Sequence, residues 1–511
     1  MIPVKNSEVA EMLARTAAIL ALRGEDRYRV RAYRRAARAV ASLKEEVATL
    51  AKQNRLESID GVGAGIGAKI KEILRTGSLA LLERLETEPP PAEGGERRFL
   101  LAYALTFHRQ FLPRLQNMPG VACAAVTGDV RRCRETVACL EYVLGTTDAG
   151  AAKKAVAELP QLHRLQWQGE SCQAVHSYGI RLCFHFTAAT DFWRLLWLTT
   201  GTDAHVRQVA ARIKANSGSD PFKHLDGACI AGEEELYALA GLPYIVPELR
   251  EDRGEIAAAA AGMLPRLVEA SAYKGDLHVH TNWSDGTANV EEMAAAAYEL
   301  GYEYLAITDH SRSLKVAKGL SLEHLAAQKA HIESLQDKYG IRILTGIEAD
   351  ILDDGTVDAP DEILAGLDVV IASVHTGLKQ DREKITSRII RAMQNPYVQI
   401  IGHATGRLLG KREGCDVDID ALLREAARTG TILEINASPD RLDIGDTVAL
   451  QAKRAGIKVA VNTDAHSRME LANMLLGLAV ARRGWLEDSD VINTLDAGAV
   501  TEVLRQKRAG F

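Results

Sequence analysis

Nine polar residues in the C-terminal half of the chain stand where short β-rich runs end, and together their side chains could bind metal ions. They are six histidines, two aspartates and one glutamate: His278, His280, Asp285, His310, Glu348, His375, His403, Asp464 and His466. Residues two apart on a strand point to the same face, so His278 and His280 can bind one ion together, and Asp464 and His466 repeat the spacing. Imidazole nitrogen with carboxylate oxygen suits zinc, manganese or iron, and the lack of thiolates in the set argues against structural zinc.

Other polar residues end the same runs without being predicted as ligands. Four of them are Asp276, Asp309, Glu434 and Asn436. For Glu434 and Asn436 the sequence leaves three roles open, which are metal binding, support of a ligand from behind, and a purely structural role. His324 and His331 fall in a helical stretch and are left out of the predicted site.

The elements that must position these ligands form a regular pattern from residue 275 onward. Seven β-rich runs alternate with helical stretches rich in Ala, Leu, Glu and Lys: DLHVHT, YLAITDHS, IRILTGIEAD, VVIASVHT, QIIGHAT, ILEINAS and VAVNTDAHS. This alternation predicts parallel strands wound with helices and closed into a barrel. In such barrels the chemistry lies where the strands end, which is where the polar residues fall.

This region resembles the PHP (polymerase and histidinol phosphatase) family over residues 275 to about 508, with no departure at any ligand position. The matching stretches are DLHVHTNWSDG, ITDHS, GIEAD, SVH, IGH and VNTDAHS. The resemblance implies a distorted (β/α)7 barrel with three divalent metal ions. It assigns His278, His280, Glu348 and Asp464 to the first ion, Glu348, His375 and His403 to the second, and Asp285, His310 and His466 to the third. Manganese is the expected activating ion, with zinc or iron as alternatives.

The chemistry expected of such a cluster is phosphoester hydrolysis. Two metals about 3.5–4 Å apart can share a hydroxide that attacks phosphorus, and a third can neutralise a phosphate oxygen. Glu348, Asp464 and His280 are the ligands expected to be central to catalysis.

The N-terminal part of the chain carries signs of a DNA-binding helical domain. Residues 7–52 are predicted to be helical, with an i, i+3, i+4, i+7 stripe of arginines: Arg31, Arg34, Arg35 and Arg38. SIDGVGAGIGAKIKEIL (58–74) resembles a helix-hairpin-helix element, which holds duplex backbone without reading sequence. Its expected phosphate-contacting residues are Gly61, Gly63, Gly65, Gly67, Lys69 and Lys71. A simple helical turn is the alternative reading of the glycines alone.

Residues 7–260 resemble the catalytic half of a bacterial family X DNA polymerase, with departures at the residues that bind metal. The resemblance rests on LRGEDRYRVRAYRRAARAV, the hairpin, TGDVRRCRETVACLEYV and GLPYIVPELREDRGE. The family pattern has Ser where Asp129 stands, two Asp where Cys139 and Glu141 stand, and a third Asp where Cys183 stands. Magnesium needs hard oxygen ligands, so we predict a degenerate polymerase site in an α+β nucleotidyltransferase-like palm remnant. Rescue of one metal by Asp129 stays open.

Bulk properties bound the organisation of the chain. Its 511 residues are too long for one ordinary core, and we predict a helical DNA-binding domain over 1–86, a palm-like domain over 97–255 and a barrel over 270–511. The breaker-rich segment TEPPPAEGGE (87–96) separates the first two. Net charge is −6, the seven cysteines are scattered, and no apolar run suits a signal peptide or membrane span. A cytoplasmic setting without membrane contact is expected.

Together these features predict a nuclease of DNA repair acting on gapped, nicked or 3′-damaged duplex. The expected activity is 3′–5′ exonuclease or 3′-end processing, with abasic endonuclease or 3′-phosphatase activity as further forms. Three alternatives remain: a small-molecule phosphatase of the histidinol-phosphate kind, a gap-filling DNA polymerase, and a non-catalytic DNA-binding scaffold.

Overall fold

The fold is known from a computed structural model that describes residues 4–88, 97–223, 230–336 and 338–509. Most of the predicted connector 87–96 and one of the seven cysteines, Cys229, lie outside the described residues. None of the helices within the described ranges is both long and apolar enough to cross a membrane.

The N-terminal residues form five helices around a core of their own, as predicted. These are α1 (Asn6–Leu22), α2 (Arg27–Ala41), α3 (Val47–Lys52), α4 (Ala64–Thr76) and α5 (Ala80–Thr87). Helix α2 begins after Asp26, whose carboxylate accepts hydrogen bonds from the backbone of Tyr28 and Arg29. It contains the whole predicted arginine stripe. Helix α4 ends at Gly77, which adopts φ of +74° and closes the helix as glycine does most readily.

The middle of the chain is a mixed α+β unit, also as predicted. Its strands are β1 (Phe99–Leu100), β2 (Val121–Thr127), β3 (Thr136–Val137), β4 (Leu140–Thr146), β5 (Leu162–Gln168), β6 (Ser171–His176) and β7 (Arg181–Ala188). Its helices are α6 (Leu101–Gln116), α7 (Gly128–Arg131), α8 (Ala149–Ala157), α9 (Phe192–Thr200), α10 (Asp203–Ser217), α11 (Glu233–Leu239) and α12 (Glu255–Ala260). Five strands form one sheet in the order β2-β4-β7-β6-β5, in which β4 and β7 are parallel. The stretch TVACLEYVLG (136–145), whose β-rich composition favours one continuous strand, instead forms β3 and the first part of β4, separated at residues 138–139.

The C-terminal part is a nearly closed barrel of seven parallel strands, which confirms the predicted architecture. The strands are β8 (Gly275–Val279), β9 (Tyr304–Ile307), β10 (Arg342–Asp350), β11 (Val369–Ser373), β12 (Ile400–Ile401), β13 (Ile432–Asn436) and β14 (Val459–Asn462), neighbours in that order. The helices are α13 (Val290–Glu299), α14 (Leu322–Leu335), α15 (Asp361–Leu364), α16 (Arg382–Met393), α17 (Ile419–Thr429), α18 (Asp446–Arg454), α19 (Met474–Arg483) and α20 (Ala497–Ala509). A parallel bridge between Val279, the last residue of β8, and Ala465, which lies just after β14, brings the first and last strands together.

Candidate metal centre

Glu348, near the end of β10, lies at the middle of the predicted ligands. Its Oε1 is 3.0 Å from His403 Nε2 and 3.3 Å from His375 Nε2. Its Oε2 is 2.8 Å from His310 Nδ1 and 3.4 Å from His278 Nε2. Because each carboxylate oxygen faces different imidazoles, Glu348 has the geometry to bridge two ions.

Two further groups of ligand atoms lie on either side of His280. Asp464 Oδ1 is 3.0 Å from His280 Nε2, and these two residues with His278 form one group whose ligand atoms lie within 4.8 Å of one another. Asp285 Oδ1 is 3.3 Å from His466 Nε2, and His280 also belongs to this second group. The structure therefore brings all nine predicted residues together, with His280 close to two of the expected ion positions. Which residue binds which ion stays a prediction.

The chemistry of the cluster fits bound cations. Within the described residues, six buried atoms of these ligands make no hydrogen bond of suitable geometry: Nε2 of His278, Nδ1 and Nε2 of His280, Nδ1 of His310, Nδ1 of His403 and Oε2 of Glu348. Polar atoms buried without partners cost free energy, and native proteins rarely concentrate them at one point. Divalent cations would satisfy the imidazole and carboxylate lone pairs that converge here.

The protonation states of two of the predicted ligands, His280 and Glu348, suit metal binding. Burial lowers the pKa of the His280 imidazole, and the nearby His466 and His310 lower it further, to about 3. A neutral imidazole is the form that binds metal. Burial opposes the charge of the Glu348 carboxylate, but the imidazoles of His310 and His375 hold its pKa well below the usual range. At neutral pH the centre thus offers a neutral His280 and an anionic Glu348.

Several residues form hydrogen bonds that fix the orientation of the predicted ligands, and one of these residues was not predicted from the sequence. His278 Nδ1 lies 2.7 Å from Glu434 Oε1, which decides the open question about Glu434 in favour of support. Asn436 Nδ2 donates to the carboxylate of Asp464 at 3.1 Å. The missed residue is Asp350, which hydrogen-bonds His375 Nδ1. Its position two residues after Glu348 on β10, on the same face, was the available signal.

Asp276 and Asp309 are structural within the site. Asp276 accepts hydrogen bonds from the backbone and hydroxyl of Thr463, which ties β8 to the end of β14. Asp309 accepts from the backbone and hydroxyl of Thr281 and from Gln328. Both carboxylates fix the loops that carry the ligands.

We expect Glu434→Gln to weaken the centre without removing a ligand. The neutral amide cannot stabilise the ring of His278 as the carboxylate does, and losses at such supporting positions are roughly 10–100-fold in metal affinity or activity. Metal titration and hydrolysis rates of the variant measure this. Glu303→Gln, at an exposed ion pair with Lys274, is the matched control. Equal behaviour of the two variants would contradict the role given to Glu434.

The predicted hairpin presents its backbone at Gly63 and Gly65, which begin α4. Both are exposed, and a Cβ added at either would meet no atom within 4 Å among the described residues. Gly61 has φ of +75°, a conformation that favours glycine. Gly67 is different, because it is buried and lies against Leu56. The exposed amides at the start of α4 are suited to a phosphate, whereas Gly67 serves packing.

The arginine stripe of α2 is mostly exposed, and Arg38 at its C-terminal end lies near the predicted metal centre. Arg31 is exposed, and Arg35 forms an ion pair with Asp60 of the hairpin. Arg38 lies 3.5 Å from Glu470 Oε1, and the other oxygen of Glu470 accepts a hydrogen bond from the backbone of the ligand His466. Three other predicted DNA contacts have partners within the protein: Arg34 with Tyr103 at 2.5 Å, Lys69 with Glu72 at 3.1 Å and Lys71 with Asn54 at 3.3 Å.

The predicted polymerase position in the sheet of the middle unit has few carboxylates available for hard cations such as magnesium. Asp129, in α7, is paired with Arg98 at 3.0 Å and with Arg132 at 2.7 Å. Glu141 and Cys183 are register partners on β4 and β7, so they face the same side of the sheet. With Asp129 held by arginines, Glu141 is the carboxylate left at the predicted polymerase position.

Comparison with known proteins matches two domain families and a relative that aligns along nearly the full chain. The helix-hairpin-helix domain family matches residues 4–79, and the PHP domain family matches residues 276–438. The chain is 32% identical to the "DNA polymerase/3'-5' exonuclease PolX" of Bacillus subtilis, over 98% of this chain and 99% of the relative. That alignment is 570 positions long, more than the 511 residues of this chain, so the relative has segments that this chain lacks.

Other relatives match only part of the chain. A protein of Thermoanaerobacter sp. named "Probable phosphatase" is 34% identical over 46% of this chain and 95% of its own length. Another of the same name, from Acetivibrio thermocellus, is 33% identical over 38% of this chain and 80% of its own length.

Proposed function

Given that the chain belongs to the family of PolX DNA polymerase/3′-5′ exonucleases, we propose that it is a metal-dependent phosphoesterase that processes 3′ ends of DNA. The convergence of nine imidazole and carboxylate ligands at one end of the barrel carries the proposal. A PHP domain and relatives named as an exonuclease and as phosphatases support hydrolysis of phosphoester bonds. The specific activity we propose is 3′–5′ exonuclease in DNA repair, with abasic-site cleavage or 3′-phosphate removal as related reactions.

Within this site each group of residues has a distinct task. His280, Glu348 and Asp464 would hold the cations, and Glu434 and Asp350 fix the orientation of the imidazoles behind them. Bound divalent cations supply Lewis acidity, lower the pKa of water and neutralise phosphate charge. Three ions, with manganese as the activating metal and zinc or iron as alternatives, suit the mixed nitrogen and oxygen donors.

A cationic side chain stands beside these ligands. Arg441 Nε lies 3.8 Å from Asp464 Oδ2, and the side chain is one-fifth exposed. Guanidinium groups pair well with phosphate, so Arg441 is placed to orient a substrate phosphate next to the cations.

The helical part of the chain would hold the duplex whose end enters the barrel. The contact between Arg38 and Glu470 puts the arginine stripe beside the ligand His466. The amides at Gly63 and Gly65 add a phosphate-binding edge on the same helical unit. A gapped, nicked or 3′-damaged duplex held there could present its 3′ end to the metals.

We further propose that polymerase activity is lost. Two of the three expected aspartates are cysteines, and Asp129 is held by arginines. The middle unit would act as a spacer that fixes the helical unit against the barrel. Arg34, bonded to Tyr103 of α6, is one of the contacts that do so.

Removing exposed positive charge from the helical unit is expected to weaken DNA binding and leave the chemistry intact. For Arg31→Ala combined with Lys71→Ala we expect a higher KM on duplex DNA and an unchanged kcat on a small phosphodiester. The slope of log binding constant against log salt concentration should become less steep by about one unit for each phosphate contact that is lost. Arg207→Ala with Lys154→Ala, which removes two exposed positive charges from the middle unit, is the control. A loss of equal size on both substrates would contradict a DNA-holding role.

A small-molecule phosphatase is the second candidate. The relatives named as probable phosphatases align with less than half of this chain, and the one from Thermoanaerobacter does so over 95% of its own length. Hydrolysis of a phosphate monoester with no action on oligonucleotides would favour this candidate over a nuclease.

A further inference from the structure

The former polymerase position of the palm-like sheet carries four side chains that are all metal ligands of other proteins. Glu141 on β4 is the register partner of Cys183 on β7, and His185 follows Cys183 by two residues on the same face. Cys139 precedes Glu141 by two residues, in the bend between β3 and β4. Of these four, His185 had no place in the predicted site.

Three of the four already converge. His185 Nε2 is 3.5 Å from Cys183 Sγ and 3.3 Å from Glu141 Oε2, and the three ligand atoms lie within 4.8 Å of one another. The opposite ring nitrogen, Nδ1, is 3.0 Å from the hydroxyl of Ser171, which fixes the ring with Nε2 toward the cluster.

The four side chains are shielded from bulk solvent to different degrees. Cys183 is buried, with 8% of its surface exposed, and Cys139, Glu141 and His185 are half-buried. The cluster is thus partly enclosed but still open to a cation from solvent.

We propose that Cys139, Glu141, Cys183 and His185 form a binding site for a zinc-class divalent cation, distinct from the centre in the barrel. Thiolate, imidazole and carboxylate are all ligands of tetrahedral zinc, whereas thiolate and imidazole are poor ligands for magnesium, which prefers oxygen. Binding requires both thiols as thiolates and His185 as the neutral imidazole, so each of these groups releases its ionisable proton to solvent as the cation binds.

Four protein ligands fill a tetrahedral shell, which makes the site structural rather than catalytic. The cation would join β4, β7 and the bend before β4 at the point where the polymerase family pattern has its aspartates. The sheet would then be stabilised by a metal that does not support nucleotide transfer.

Cobalt(II) provides the test, because only a thiolate ligand gives a thiolate-to-cobalt charge-transfer band. All nine predicted ligands of the barrel centre are nitrogen or oxygen donors, so they cannot produce this band. In full-length reduced protein loaded with Co²⁺ we expect the band in the wild type and its loss in Cys183→Ser. Cys415→Ser, which changes a half-buried thiol of the barrel, should keep the band.

Metal analysis gives a second readout that does not depend on the cobalt spectrum. Protein grown with zinc should contain about one equivalent less in Cys183→Ser and in His185→Gln than in Cys415→Ser, with unfolding curves recorded for each variant. A wild type without the cobalt band, or a band that persists in Cys183→Ser, would overturn the proposal. Neither result bears on the barrel, whose hydrolytic activity is measured separately.

Discussion

His280→Ala is expected to reduce hydrolysis of a small phosphodiester such as bis(p-nitrophenyl) phosphate by roughly 10³-fold or more, since charge stabilisation at the reacting centre is usually the largest catalytic contribution. His280 lies 3.0 Å from Asp464 and belongs to two of the three ligand groups. Its loss therefore weakens two ion positions at once. Steady-state rates with added Mn²⁺ measure the effect on wild type and variant side by side.

The matched control is His324→Ala. His324 is an exposed histidine of α14 that was left out of the predicted site, and its replacement should leave the rate within about twofold, as exposed substitutions usually do. Asp464→Asn, close in size to the natural side chain, should be as inactive as His280→Ala. Circular dichroism spectra that match the wild type separate loss of metal from loss of fold. Activity of His280→Ala close to that of the wild type would show that the centre works without it.

The second prediction is that the protein does not extend a DNA primer. With a gapped duplex, all four dNTPs and either Mg²⁺ or Mn²⁺, we expect no incorporation, because Glu141 alone cannot hold the two hard cations that nucleotidyl transfer needs. The assay is best made in the Asp464→Asn background, so that degradation does not hide extension. Template-dependent extension that disappears in Glu141→Gln would mean that the palm-like unit is a working polymerase.

The barrel and the convergence of the predicted ligand residues were predictable because their pattern is local. Each short β-rich run predicts a buried parallel strand. Residues such as Glu348 and His403 lie close to the carboxyl ends of their strands, and a barrel brings these ends together. The helical stripe on α2 was predictable for the same reason, from its 3.6-residue period.

Contacts between distant segments were not predictable. The approach of Arg38 to Glu470 and the bond between Arg34 and Tyr103 depend on how separate units pack, and nothing in the local sequence encodes this. Gly67 was predicted to contact phosphate, but it is buried. The prediction failed because glycines occur both where the backbone is exposed and where two elements pack closely, and the sequence pattern is the same in both cases. His185 was not predicted because the metal-binding positions of the family X polymerase pattern are occupied here by Cys139, Glu141 and Cys183, and His185 is not one of them.

The most direct test of the central claim is a denaturing gel of a 5′-labelled, 3′-recessed duplex incubated with Mn²⁺. Wild-type protein should produce a ladder of products that shorten from the 3′ end one nucleotide at a time. The same ladder should be absent with His280→Ala and present with His324→Ala. A primer that stays intact with wild-type protein, while a phosphate monoester is hydrolysed, would contradict the assignment of DNA as substrate.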